Sequence, residues 1–143
     1  PHQSIMVRTG EPTQDMAHLR RLLGDARLAI HAALTAVMAW LAIVLAAPGD
    51  TFGTSISFRA MAALATEEHW SMAFWLAATL GLIGLTTPHR GMRLGSVLVL
   101  ATMHGVVAGC LVLGNPATTG TGTYAVLACL GYYLAWRRTD EGL

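Results

Sequence analysis

The sequence predicts an all-α, polytopic membrane protein: four transmembrane helices in an antiparallel bundle, preceded by an amphipathic juxtamembrane helix. Three observations predict it. Of the 143 residues 54% are hydrophobic and only 12% charged, against roughly a quarter charged in soluble globular proteins, so a soluble fold would leave much apolar surface in water. The apolar residues also come in long stretches, the clearest at 94–113 without a single charge, and about twenty residues of helix cross a hydrocarbon core of ~30 Å. Finally, the arginines gather at alternate ends of these stretches, as insertion in one orientation requires.

Residues 1–12 are polar and aperiodic and read as a tail. Over 13–27 Met16, Leu19, Leu22, Leu23 and Ala26 recur at spacings of three and four, while Asp15, His18, Arg20, Arg21 and Asp25 fall mostly on other faces. With Thr13 as N-cap and Asp15 near the positive helix end, this predicts a helix on the membrane surface or against a partner, or a solvated extension of the first span. That span, 28–47, offers Ala29, Ala32, Ala33 and Ala36 as small contact surfaces and stops at Pro48-Gly49-Asp50. It starts too late and runs too long for a signal-peptide core, so it is expected to be retained. A short apolar helix over 58–64, capped by Ser57, cannot cross and is expected to lie flat or pack over the bundle.

The second span, 66–87, opens with Thr66 as cap and Glu67 and Glu68 in its first turn, and ends before Pro88. Its Ala73, Ala77, Gly81 and Gly84 form a small-residue strip. The third, 94–113, carries another at Ala101, Gly105 and Gly109, and the two strips are expected to pack on each other. Only 88–93 link them, which predicts an antiparallel hairpin. Past Gly114-Asn115-Pro116, the fourth span occupies 118–136 and ends on Tyr132, Tyr133 and Trp136 beside Arg137 and Arg138, an interfacial belt. Trp70 and Trp75 are expected at the opposite interface. Alternating spans put every arginine but Arg59 on one side, which predicts both termini in the cytoplasm.

The chemistry open to such a chain is narrow. All nine basic residues are arginine, scattered over short segments, so no nucleic-acid partner is expected. Cys110 and Cys129 sit in apolar runs at different depths and suggest neither a disulfide framework nor a zinc site. Glu67-Glu68-His69 point in different directions on a helix, so the acids are read as capping and no metal is expected. No nucleophile, histidine and acid share a depth, and no phosphate-binding glycine loop occurs, so no catalysis is expected. His104 is the candidate intramembrane polar site: either a neutral ring bonded to Thr79 or Thr102, or part of a proton or ion pathway. Haem between two histidines finds no intrachain pair, since His31 lies ~5 Å and His104 ~15 Å inside the same boundary, and His69 and His89 fall at opposite interfaces. No cofactor is therefore expected, with a pair of His104 residues from two copies as the remaining route.

Pro48-Gly49-Asp50-Thr51-Phe52, and Asn115-Pro116 followed by Thr118-Thr119-Gly120-Thr121-Gly122-Thr123-Tyr124-Ala125-Val126-Leu127 before an aromatic, arginine-ended helix, resemble small four-span membrane proteins encoded by tailed phages and prophages. The resemblance covers the layout of most of the chain, with Thr118 or Thr119 where that pattern has serine. It implies a bacterial inner membrane and no catalytic residue. The expected function is non-enzymatic: helix packing with itself as a homo-oligomer, or with another membrane or virion protein, in superinfection exclusion, lysis control or genome delivery from the particle. A small channel through His104 and a haem-binding redox protein are the alternatives.

Overall fold

The computed structural model describes residues 14–116 and 118–140, with side chains from residue 26 to residue 137. The tail over 1–12 and the cap at Thr13 lie outside the described residues. Among these the chain is helical without a strand: α1 (Gln14–Ala46), α2 (Thr51–Thr54), a 3-10 turn (Ile56–Phe58), α3 (Arg59–Leu64), α4 (Glu67–Thr86), α5 (Arg90–Gly114) and α6 (Thr119–Asp140). Three segments are long and apolar enough to cross a membrane: Ala26–Ala46, Glu67–Thr86 and Arg90–Gly114. The last helix, α6, has 22 residues but opens on Thr-Gly-Thr-Gly-Thr, so it carries less apolar bulk than the others.

One boundary follows one of the alternatives of the sequence reading, an extension of the first span, and another differs from it. The 33 residues of α1, ~50 Å of helix, run without a break through positions 27 and 28, because neither glycine nor proline interrupts them there. The amphipathic segment is thus continuous with the first apolar stretch, and its side chains through residue 25 lie outside the described set. The link after α4 is three residues, Thr87, Pro88 and His89, because Arg90 to Arg93 are already helical. Pro88 cannot continue a helix ladder, and Arg93 holds the turn by donating Nε–H to the Thr87 carbonyl at 2.8 Å.

After α1, Asp50 takes over the turn: its Oδ1 accepts the Gly53 N–H at 2.6 Å, as an N-cap does. Glu67 reaches back to accept the Phe52 N–H, tying the connection to the start of α4. The cap of α3 is Phe58 and not Ser57, since Ser55 to Phe58 tighten into the 3-10 turn first. This segment packs over the helix ends. Met61 is buried, the Phe52 and Phe58 rings stack at 5.8 Å, and a Cβ on Gly114 would lie 2.7 Å from the Ser57 carbonyl oxygen.

The core lies among the four long helices, built from Leu34, Met38, Phe74, Leu100 and Val107 with Met61 above. A smaller cluster of Val97, Leu134 and Ala135 closes the other end. Large apolar side chains elsewhere face outward, including Trp40, Leu76, Leu82 and Leu113.

Candidate functional site

The contacts between helices rest on small residues, but not in the pairing that spacing alone suggests. On α4, Ala77, Gly81 and Gly84 are buried and Ala73 is half-buried. The atoms nearest its glycines are not those of Ala101, Gly105 or Gly109. A Cβ on Gly81 would lie 2.5 Å from Thr35 Oγ1 on α1 and 3.1 Å from Leu100 on α5, and one on Gly84 would lie 1.9 Å from Ser96 Oγ and 3.3 Å from His31. The α4 glycines therefore sit in a three-helix junction whose lining is polar. There the Thr35 hydroxyl donates to the His31 carbonyl at 2.9 Å, and Ser96 Oγ stands 3.3 Å from His31 Nε2 and 3.0 Å from the Arg93 carbonyl.

The α5 strip turns instead toward α6. A Cβ on Gly131 would come within 2.7 Å of the Ala101 Cβ, one on Gly105 would stand 3.8 Å from Ala128, and Gly109 has nothing within 4 Å. Gly131 is a contact residue that sequence reasoning missed. Its signal was present, since Ala128, Gly131 and Ala135 repeat at helical spacing. Thr102 and Tyr132 share a hydrogen bond of 3.1 Å across the same pair of helices.

His104 is fully buried. Its partner is neither Thr79 nor Thr102: Nδ1 lies 2.8 Å from the Leu100 carbonyl, one turn back on its own helix, while Thr79 donates to the Trp75 carbonyl. A carbonyl only accepts, so Nδ1 carries the proton and Nε2 of the neutral ring presents a lone pair. That nitrogen is buried with no hydrogen-bond partner among the described residues. Beside it stands Tyr124, ring centroids 6.0 Å apart. The lone pair can accept one hydrogen bond or ligate a single metal ion. His31 is held at Ser96, two turns of α5 or ~12 Å of rise away, so the two histidines do not face each other, and no cluster of three metal-ligating side chains occurs among the described residues.

No family model, curated protein or solved structure matches the chain.

The remaining sequence candidates sit as follows. Trp70 is not presented outward: it is buried against Phe74, and its indole N–H donates to the Met61 carbonyl at 3.0 Å. Trp75, Tyr132, Tyr133 and Trp136 are exposed, as is Arg137, whereas the side chain of Arg138 lies outside the described set. Glu67 and Glu68 occupy the first turn of α4. Thr66 makes no side-chain cap, because its hydroxyl bonds His69 Nδ1 at 2.6 Å. Cys110 is buried and Cys129 exposed, and both are free thiols.

Proposed function

We propose that this chain is a four-span integral membrane protein, with antiparallel helices and both termini cytoplasmic, that acts by packing against a second copy or another membrane protein and not by catalysis. Three helices of sufficient length and apolarity support the membrane reading. The fourth span, α6, gains support from its seam with α5, because polar or glycine-rich turns are tolerated at membrane depth where a neighbour covers them. Opposed helix directions are supported by contact pairs that run oppositely in sequence: Ala42 with Ser71 and Thr35 with Gly81, then Ala101 with Gly131 and Leu111 with Gly120. Arg27, Arg90, Arg93 and Arg137 fall at one end of these pairs, and Asp50, Arg59, Glu67 and Glu68 at the other, which supports the cytoplasmic assignment by the positive-inside rule.

The observation that carries the functional reading is Gly109. Where Gly81 and Gly84 are consumed within the chain, Gly109 is exposed with open space around it, among exposed Val106, Val112 and Leu113. In lipid, helix association depends on close backbone approach at such residues, and this one is left over after the chain has packed. In the phage setting that the loop motifs suggest, a partner-binding protein of the inner membrane fits superinfection exclusion, lysis control or delivery from the particle. Gly109→Leu is expected to shift the detergent-solubilised protein from an assembly to a single chain in size measurements and to lose membrane partners in pull-downs. Unchanged size and partners would refute the reading.

A second reading is favoured by His104 Nε2, a buried lone pair of the kind found along proton pathways. In liposomes loaded with a pH-sensitive dye, His104→Ala should then abolish proton flux, and equal flux in the variant rules it out.

A further inference from the structure

The lone pair of His104 Nε2 is buried without a donor among the described residues, and a buried acceptor left so costs about 1–3 kcal/mol. The two ends of the bundle stand differently to it. Toward the arginines the path is shut: a Cβ on Gly131 would lie 2.7 Å from the Ala101 Cβ and 3.4 Å from Leu34, and one on Gly81 3.1 Å from Leu100. Leu34, Leu100 and Ala101 are fully buried and form an apolar layer between His104 and the His31–Ser96 junction. Toward the opposite end the lining is polar. Tyr124 stands beside the imidazole with ring centres 6.0 Å apart, ~8 Å of helix below the first residue of α6. Thr121, one turn nearer that end, and Thr118 share a hydrogen bond of 3.1 Å. All three residues are half-buried and fall three apart, so they line one face. At the level of His104 itself the seam between α5 and α6 has slack, because a Cβ on Gly105 would meet only Ala128, at 3.8 Å.

Nε2 needs a donor, and no direct bond joins it to Tyr124. A water between the two side chains supplies one: it donates to Nε2 and accepts the phenol O–H, the usual way in which a buried acceptor is satisfied. Residues 32–49, 70–88, 94–114 and 118–136 contain neither an acid nor an arginine. Of the other titratable side chains in these stretches, Cys110 lies six residues further along α5, and Cys129, Tyr132 and Tyr133 are exposed on α6. Among the described residues Tyr124 is thus the titratable group beside His104, and a proton for the ring has to come by way of water. We propose that one water joins the Tyr124 hydroxyl to His104 Nε2, and that His104 exchanges protons with the non-cytoplasmic side alone. In that exchange Tyr124 gives its proton to the water as the water gives one to Nε2. Water at the outer end, arriving along Thr118 and Thr121, reprotonates the phenol oxygen, so the net change is one proton taken up there and one N–H bond formed. The proposal rests on the His104 reading above; it gives that pathway its entry and, in the apolar layer, its slow step.

The test uses the full chain, labelled with nitrogen-15 at histidine, in phospholipid vesicles. Magnetisation transfer from water to the His104 Nε2 resonance, assigned by its loss in His104→Ala, is read by solid-state NMR. It should be clear in wild type and about fivefold weaker in Tyr124→Phe, which keeps the ring and removes one hydrogen bond from the water. A dry Nε2 in wild type, or equal transfer in Tyr124→Phe, overturns the water. The side of entry is read in right-side-out and inverted membrane vesicles with His104→Cys in a Cys110→Ala, Cys129→Ser background, using silver ion as a probe small enough to follow water. Silver should block later alkylation of the thiol in right-side-out vesicles, and at least about tenfold more slowly in inverted ones, since an ion crossing an apolar layer is desolvated. Equal rates, a faster block from the cytoplasmic side or no block at all overturns entry from the outer end. Tyr124→Cys in the same background serves as the second variant should the first fold poorly. Failure of the underlying reading looks different: equal proton flux in wild type and His104→Ala, with Nε2 wet and reached from the outer side, overturns the pathway and retains the site.

Discussion

Gly84→Ala is expected to lower stability by about 2–3 kcal/mol, the upper range for over-packing a tight core. Two effects oppose each other. Alanine is the better helix former by ~1 kcal/mol, which by itself would stabilise α4. The new methyl, however, would have to occupy the space of Ser96, whose Oγ lies 1.9 Å and Cβ 2.6 Å from the ideal Cβ position, with His31 3.3 Å away. Rotating the serine hydroxyl relieves only the first of these contacts, so α4 and α5 must separate, and the His31–Ser96 contact at 3.3 Å opens with them. The measurement is thermal unfolding in detergent followed by a thiol-reactive dye. Cys110 is buried and reports opening of the core, and a Cys129→Ser background removes the exposed thiol. A midpoint lowered by roughly 5–10 °C is expected on the scaling for a domain of this size. The double variant Gly84→Ala with Ser96→Gly should recover most of the loss, because the atoms that collide are then gone. An unchanged midpoint in the single variant would show that α4 does not approach α5 this closely.

Gly131→Ala should have the second large effect, again about 2 kcal/mol, at the seam between α5 and α6. Its Cβ would fall 2.7 Å from the Ala101 Cβ and 3.1 Å from the Ala101 Cα, and backbone cannot turn aside as a side chain can. Exchanging the two residues, Ala101→Gly with Gly131→Ala, keeps one methyl in the seam and should return the midpoint close to wild type. The resulting coupling of 1 kcal/mol or more, on the order found for residues in contact, would be read from the double-mutant cycle. Gly109→Ala is the control: with nothing within 4 Å, only the helix-propensity gain remains, and a single chain should be unaffected or stabilised by up to ~1 kcal/mol.

These outcomes rank the glycines differently from their spacing. Along α5, Ala101, Gly105 and Gly109 form a regular strip, yet its first member is clamped by Gly131, its second barely touches Ala128 and its third faces outward. A one-dimensional pattern gives the direction a small residue points relative to its own helix, and not which neighbour arrives there. The same limit explains Trp70. An aromatic near a helix end reads as an interfacial anchor, but α3 folds back over this end and supplies the Met61 carbonyl to its indole N–H, so the ring turns inward. His104 shows the limit for hydrogen bonding. Its candidate partners are the hydroxyls of Thr79 on the second span and Thr102 on its own, whereas the carbonyl one turn back is geometrically available to any helical histidine and holds Nδ1 instead.

Some features were nevertheless legible residue by residue. The ends of α1, α4 and α5 fall at Pro48-Gly49, Pro88 and Asn115-Pro116, where proline and loss of apolar period forbid continuation. By itself, the sequence determined that this is a helical chain with stretches long and apolar enough to cross a membrane, because helix length, breakers and side-chain polarity are local properties set by each residue and its near neighbours. Only the tertiary structure decided which glycines are clamped and which are open, that His31 belongs to a junction with Ser96 while the lone pair of His104 stands without a donor among the described residues, and that alanines of α1 and α4 leave a groove. Those depend on the distance between helices far apart in sequence, and that distance is set by every side chain in the interface at once.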